Sequence, residues 1–537
     1  MPIANAQRSI FEEGRNCRRV ADAGRVAFVV DGDDYFKMFM EAAERARESI
    51  IVLAWDFNSN CCLSVECDSK DPRAKLGEYL NHLARRRPGL HIHVLDWDFP
   101  MIYAKDREAP VRVRLGWGWK PHRRVHLEFD NTHPPGGSHH QKIVVIDDAI
   151  AFCGGLDLTC QRWDTPAHAA GDPHRVVDDQ PYPPFHDLMI AVDGEAAREL
   201  GRIVRERWRA STEKEIPPAR TSEDPWPPDL EPALTNLPVA IAVTAPESAP
   251  HQGRREVEAL YLDMIARAKR YIYIENQYFT AHKIGEALEA RLREPGGPEI
   301  VVVTRLLSHG WLEEYTMGVL RNKMVERLRA ADVERRFNVY YPEMPGLAEG
   351  TCIDVHSKMM AVDDEWLRIG SANINNRSMG IDTECDLAIE AGGRAEVEHA
   401  IRSFRNKLLA EHLGVTREEV DRETTARGSG SIAGAVKALE RPGRTLKRLE
   451  VESHSDITLS IAEMTDPEQA VGLDKLKALF SFGAEFHSVP RPLRKALVYV
   501  ALAGALFVLW RFIPLRNVLR IGRGESAVAL LWKKLRR

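Results

Sequence analysis

Two short stretches carry the residues whose types and spacing could do chemistry. In Ser138–Asp157, SHHQKIVVIDDAIAFCGGLD, the residues His140, Lys142 and Asp147 stand in the spacing HxKxxxxD, and His356, Lys358 and Asp363 repeat it. In extended chain, alternation puts His140 and Lys142 on one face, so an imidazole and an ammonium reach one anion from the same side. The same holds for His356 and Lys358. A lone histidine is usually a satisfied structural residue and a lone lysine a solvated cation. Here that bland account must explain both pairs twice, each followed by a small-residue turn, Gly154–Gly155 or Gly370–Ser371.

The chemistry this suits is phosphodiester cleavage. Two ammonium groups hold the non-bridging oxygens without a metal, one imidazole attacks phosphorus, and the other protonates the leaving alcohol. Each imidazole then needs an acid at its other ring nitrogen to fix tautomer and orientation. Asp147 and Asp363 sit at odd spacing from the histidines and face away, so they are expected to tie down backbone. Asp187 and Glu384, at matching places in the neighbouring strand of each repeat, are the better orienters. Asp157, Ser371 and Asn373 supply hydrogen-bonding groups for the lysines or phosphate oxygens.

The elements that must position these residues read as α/β. Strand Arg25–Gly32, helix Asp33–Glu48 and strand Ser49–Phe57 open the chain, followed by strands at His91–Trp97 and Val125–Asp130. Thr159–Phe185 breaks the rhythm with 27 residues and five prolines, a length more typical of binding loops than of neutral connectors. After a Pro-rich stretch the same order returns: Val239–Val243 answers Val26–Val30, Tyr271–Phe279 answers the strand ending at Phe57, and Glu384–Ile389 answers Asp187–Val192. The expected organisation is a first half over 1–212, a linker over 213–236, a second half over 237–415 and a basic, partly apolar helical tail over 416–537. Two His/Lys pairs in one chain suggest two half-sites that meet around a single phosphate. Both half-sites lie in one chain, so a monomer suffices.

The net charge of −5 is uneven. Residues 491–537 hold 11 Lys and Arg against Glu525, a balance of +10, which leaves −15 for the rest. An acidic catalytic portion argues against a nucleic-acid partner. The tail's 15 apolar or small residues at Ala496–Trp510, flanked by Arg491, Arg494, Lys495, Arg511, Arg516 and Arg520, fall short of the roughly 20 a spanning helix needs. They read as an anchor lying on, or marginally crossing, an anionic membrane. The N-terminus lacks an apolar signal region, and Cys153, Cys160, Cys352 and Cys385 sit in or beside apolar runs. Both point to a reducing compartment and the cytoplasmic face of a membrane. Cys61, Cys62 and Cys67 could begin a metal or disulfide site but lack a second CxxC, and His133, His139 and His140 lack carboxylate partners at ligand spacing, so neither metal nor cofactor is expected.

These residues resemble the phospholipase D superfamily, whose signature is two HxKxxxxD motifs followed by small-residue turns. HHQKIVVID with FCGGLDL, QRWDTPAH, FHDLMIAVDG, YIENQYF and HSKMMAVDDEWLRIGSANINNRSM are similar to the eukaryotic, plant-type phosphatidylcholine-hydrolysing branch, over roughly residues 20–415. The resemblance implies two pseudo-symmetric α/β/α halves with the active site at their interface, and metal-independent hydrolysis or transphosphatidylation of glycerophospholipids through a phosphohistidine. His140 is then the nucleophile and His356 the general acid and base. A cardiolipin-synthase-like phosphatidyltransferase is the alternative, with a nuclease or an inactive membrane adaptor behind it. Gly155 and Asp157 depart from the Ser and Asn of many members.

Overall fold

The computed structural model describes residues 9–64, 74–98, 118–134, 136–247, 253–307, 314–426, 431–452 and a few positions between 459 and 468. All of them belong to a unit formed by residues 1–99 and 107–470. Ala496–Trp510 and its flanking cations lie outside the described residues, as does Cys67.

A 16-stranded mixed sheet runs through this unit. From one edge its order is Thr445–Arg448, Phe337–Glu343, Glu299–Val303, Tyr271–Asn276, Lys358–Val362, Trp366–Gly370, Glu384–Glu390 and Leu234–Ala245. It continues with Arg19–Val30, Leu188–Asp193, Ile150–Gly154, Ile143–Ile146, Ser49–Ala54, His91–Trp97 and Val125–Asp130; Arg254–Arg255 pairs off this path. Apart from the edge strand Thr445–Arg448, the order reads the same from either side of the central pair. There Arg19–Val30 runs antiparallel to Leu234–Ala245, with Ala23 opposite Leu237, as two copies of one strand meet across a two-fold axis.

Most of the central strands are buried on both faces, as in Ser49–Ala54 and Tyr271–Asn276, because helices cover the sheet on both sides. Ile51 and Leu53 pack in the core that holds Leu200 and Val204 of helix Gly194–Thr212 and Leu408 and Leu409 of helix Ala395–Leu413. Their neighbours Ile50 and Val52 pack with helices Asp31–Ala43 and Leu76–Arg86. A third core, under helices Glu256–Arg267, His282–Arg293 and Val319–Ala331, serves the second half. The α/β layering expected from sequence is therefore present.

Three expectations change. The segment expected as a free linker is docked: Ile216, Trp226 and Leu230 are buried, Arg25 lies 4.5 Å over the Trp226 ring, and the next strand already starts at Leu234. Residues 417–448, expected in the tail, are part of the fold. Helices Arg417–Ala426 and Ile432–Leu439 pack on the fold, with Val420, Ile432 and Val436 in the core, and Thr445–Arg448 forms an edge strand. Cys153, Cys160, Cys352 and Cys385 are free thiols, but Cys62 is disulfide-bonded, which departs from a wholly reduced chain. Among the described residues no helix is long and apolar enough to cross a membrane.

Candidate active site

The third letter of each motif explains the local fold. Asp147 and Asp363 open the hairpin turns after Ile143–Ile146 and Lys358–Val362, with φ of 52° and 57°, a left-handed conformation that Asp tolerates better than most residues. From there Asp147 accepts backbone N–H groups of Arg47, Glu48 and Ser49 at 2.6, 2.8 and 2.7 Å. Asp363 accepts those of Lys269, Arg270 and Tyr271 at 2.6, 2.8 and 2.8 Å. Each aspartate thereby ties its hairpin to the start of the adjacent strand, away from the reacting groups.

The histidines enter from segments that cross between halves. His140 N–H donates to Thr383 O at 3.1 Å and Ser138 O accepts from Thr383 N–H at 3.0 Å. Symmetrically, Asp354–Val355 runs parallel to Phe185–His186, and His356 N–H donates to His186 O at 2.8 Å. This backbone exchange decides which acid serves which base. Glu384 sits 2.9 and 3.0 Å from His140 Nδ1, and Asp187 Oδ2 sits 2.6 Å from His356 Nδ1. The orienting acid therefore comes from the opposite half, not from the histidine's own repeat as sequence correspondence suggests. Nδ1 is engaged in both rings, which leaves Nε2 for chemistry.

Lys142 and Lys358 are buried. Lys142 Nζ donates to His140 O at 2.9 Å, lies 3.3 Å from Asp157 Oδ2 and stands 5.4 Å over the Trp55 ring. Lys358 Nζ lies 2.8 Å from His356 Nδ1, also contacts His356 O, and donates to the neutral Gln277 Oε1 at 3.3 Å. Trp55 and Gln277 follow the equivalent strands Ser49–Ala54 and Tyr271–Asn276, at the carboxyl ends where open α/β sheets place ligands. Asn373 Oδ1 is buried without a hydrogen-bond partner. Ser371 does not face a lysine: its hydroxyl donates to Glu384 Oε2 at 2.5 Å. Gly155, its counterpart, has no side chain because a Cβ there would overlap the Asp187 carboxylate.

Burial sets the electrostatics. It holds both imidazoles well below the usual histidine range, and Lys142 and Lys358 both push the same way on each ring, which also shows how close the half-sites lie. It raises Asp187 to about 7 and Glu384 to about 8, and lowers Lys142 as well as Lys358, the latter to about 7. Neutral imidazoles with a free lone pair stand beside Lys142, which is paired with Asp157, and Lys358, whose amine gains its charge when an anion arrives.

The histidines, lysines and orienting acids named from sequence are brought together here, but sequence reasoning missed Trp55, Gln277 and Phe185, whose ring centroid is 5.1 Å from that of His356. It also missed Arg162, whose guanidinium stands 4.8 Å over the Phe185 ring and depresses His356. The QRWD and YIENQYF stretches were the signal. The His133, His139, His140 run holds no shared ligand point: His139 Nε2 lies 3.0 Å from Asp130 Oδ1, while His140 faces Glu384.

Residues 130–223 match a family model described as phospholipase D, and residues 261–408 match one described as a cardiolipin synthase, PLD-like domain. The chain is 26% identical over 464 residues to phospholipase D A of Dictyostelium discoideum, covering 73% of this chain and 36% of that protein. It is 27% identical over 522 residues to phospholipase D alpha 1 of Ricinus communis, covering 70% and 63%. The chain thus spans less than two thirds of the length of either relative. In fold it is similar to the crystal structure of a phosphatidylserine synthase of Haemophilus influenzae, with a TM-score of 0.50 at 11% identity, covering 93% of this chain and 98% of that one. With one matched domain around each HxKxxxxD motif and both motifs converging on one centre, these likenesses support the phospholipase D superfamily.

Proposed function

We propose that the protein is a phospholipase D that cleaves the distal phosphodiester of a glycerophospholipid, and that the exchange of carboxylates between the two histidines is the observation that carries this reading. His140 Nε2 attacks phosphorus while Lys142 and Lys358 hold the non-bridging oxygens. The arriving phosphodiester charge favours the protonated form of His356, which gives that proton to the headgroup oxygen as the P–O bond breaks. His356 then takes a proton from water, whose oxygen attacks phosphorus and displaces His140 to leave phosphatidic acid. A primary alcohol in place of water gives a phosphatidylalcohol by the same step. The cations and proton shuttles are all side chains, so no metal is needed at phosphorus.

The test is purified protein with phosphatidylcholine micelles and a primary alcohol. Wild type should give choline, phosphatidic acid and phosphatidylalcohol, and His140→Ala should lose about 10⁴-fold in rate. Equal, negligible turnover by both would sink the enzyme reading. The second reading, a phosphatidyltransferase, is favoured by the cardiolipin synthase description of the domain matched at 261–408; it predicts that transfer to glycerol or phosphatidylglycerol outruns hydrolysis in the same assay. Membrane delivery falls to the basic C-terminal segment. Removing residues 491–537 should release the protein from anionic liposomes with micellar turnover kept, and unchanged partitioning would remove that role.

A further inference from the structure

His186 precedes Asp187 in extended chain, so its imidazole projects to the opposite face, into a second polar cluster that the phosphoryl-transfer machinery does not use. Asp31, His168, His186 and Glu411 meet there, all buried, with one potential ligand atom from each within 4.8 Å of the others. His186 Nδ1 lies 3.0 Å from Asp31 Oδ1 and 2.8 Å from Glu411 Oε1, while His168 Nε2 lies 3.1 Å from Glu411 Oε1 and 3.7 Å from Asp31 Oδ2. Ligand atoms around a tetrahedral zinc ion, with bonds of about 2.0–2.1 Å, stand about 3.3 Å apart.

The outer contacts follow the pattern of metal-bound histidines, whose second ring nitrogen donates to a carboxylate. His168 Nδ1 is 2.8 Å from Asp164 Oδ2, and His186 Nε2 is 3.0 Å from Glu275 Oε2. Those carboxylates are fixed in turn, Asp164 by Arg175 at 2.8 Å and Glu275 by the Tyr273 hydroxyl at 2.6 Å, the Ser357 hydroxyl at 2.9 Å and His412 Nε2 at 3.1 Å.

An independent observation points to a missing ligand. His186 Nδ1, despite its two close oxygens, is aligned for a hydrogen bond to neither, and Asp31 Oδ2 and Glu411 Oε2 are also buried without a hydrogen-bond partner. Native interiors seldom leave such atoms unpaired. The nearest further cation, Arg444, stays 3.8 Å from Glu411 Oε1. Two carboxylates and two neutral imidazoles cancel one dication, whereas without it the carboxylates need buried imidazolium partners.

We propose that Asp31, His168, His186 and Glu411 bind a divalent first-row transition metal ion of zinc type in a closed, four-ligand structural site. Its ligands come from the start of helix Asp31–Ala43, the long first-half loop, the segment before the orienting Asp187, and helix Ala395–Leu413 of the second half. Asp31 N–H also donates to Asp187 O at 2.8 Å, and Asp187 N–H to Asp31 Oδ1 at 3.3 Å. The ion therefore staples the two halves and fixes the backbone that aims Asp187 at His356, while taking no part in phosphoryl transfer.

Metal analysis of tag-free, full-length protein should find about one equivalent of zinc or a congener, retained on dialysis without chelator. Exchange with Co²⁺ should give the visible bands of a tetrahedral site, and stripping the ion should lower Tm. Glu411→Gln should abolish the Co²⁺ bands, whereas His126→Ala should leave them intact, since His91, His93 and His126 stack at the surface with centroids 4.8–6.4 Å apart and could bind metal adventitiously. If wild type holds less than about a tenth of an equivalent, shows no Co²⁺ bands and keeps its Tm after dialysis against Zn²⁺, the cluster is held by protons alone and the proposal falls. Bands lost in His126→Ala overturn it equally.

Discussion

The two half-sites share a backbone plan and differ in how they balance charge. Lys142 carries its own counter-ion, Asp157 at 3.3 Å, and an aromatic neighbour. At the matching position Lys358 has neutral Gln277, and Asn373 stands where Asp157 does. The acids differ in the same paired manner. Asp187, the shorter, lies against Gly155 with no room for a Cβ, whereas Glu384 is anchored by the Ser371 hydroxyl. A small neighbour accompanies the acid it must make room for, and a donor accompanies the acid it must hold. Duplication supplied the geometry, and local substitutions then made one lysine permanently paired and the other dependent on the substrate.

The largest effects should come from breaking that matching. Gly155→Ser places atoms where the Asp187 carboxylate lies, so it should cost about 10²-fold or more in kcat, close to Asp187→Asn, because His356 loses its orienting partner. Ser371→Gly removes one hydrogen bond and no space, and should cost only about tenfold. Single-turnover rates on a soluble phosphodiester would check the ranking. Equal losses in the two variants would mean that the half-sites do not differ in this respect.

A smaller effect concerns pH. In the empty site Lys358 titrates near 7 and Glu384 near 8. A bound phosphate anion favours the charged amine, so binding above pH 7 must take up a proton and affinity falls as pH rises. Ionisation of Glu384 above pH 8 adds negative charge and acts in the same direction. Tungstate or another phosphate mimic should therefore weaken by up to about tenfold per pH unit above 7. Lys358→Arg, with a cation that does not titrate, should flatten that slope, measured by calorimetry. An unchanged slope in Lys358→Arg would show that the proton goes elsewhere.

How much of this was legible follows from the range of the signals. The His/Lys pairs, the duplication and the α/β layering were readable because each rests on local spacing: period-two strands, repeated motifs, a repeated order of elements. The crossing of Glu384 to His140 and of Asp187 to His356 was not, since it depends on segments 185–187 and 382–384 pairing with the opposite half's motif strand. The buried polar cluster was missed for a related reason. Glu275 is a charge set into an otherwise apolar strand, which was a visible anomaly, but only tertiary packing brings Asp31, Glu275 and Glu411 to His168 and His186. The docking of 213–233 was obscured because proline and acid content outweighed three spaced apolar anchors, Ile216, Trp226 and Leu230.

The smallest effect on turnover should come from the motif aspartates, although they complete the signature. Each holds three backbone N–H groups from a left-handed turn, and an Asn there keeps the turn but has one acceptor oxygen in place of two. At least one backbone donor is then left facing an amide, which costs about 1–3 kcal/mol where water cannot enter and less where it can. Asp147 is 3% exposed, while Asp363 is half-buried beside solvent-facing Lys269 and Arg270. Asp147→Asn should therefore lower stability in urea more than Asp363→Asn, with kcat at 25 °C within about threefold of wild type in both. A large kcat loss with unchanged stability would return these residues to the chemistry and break the division between anchoring aspartates and orienting acids that separates the two ends of each motif strand.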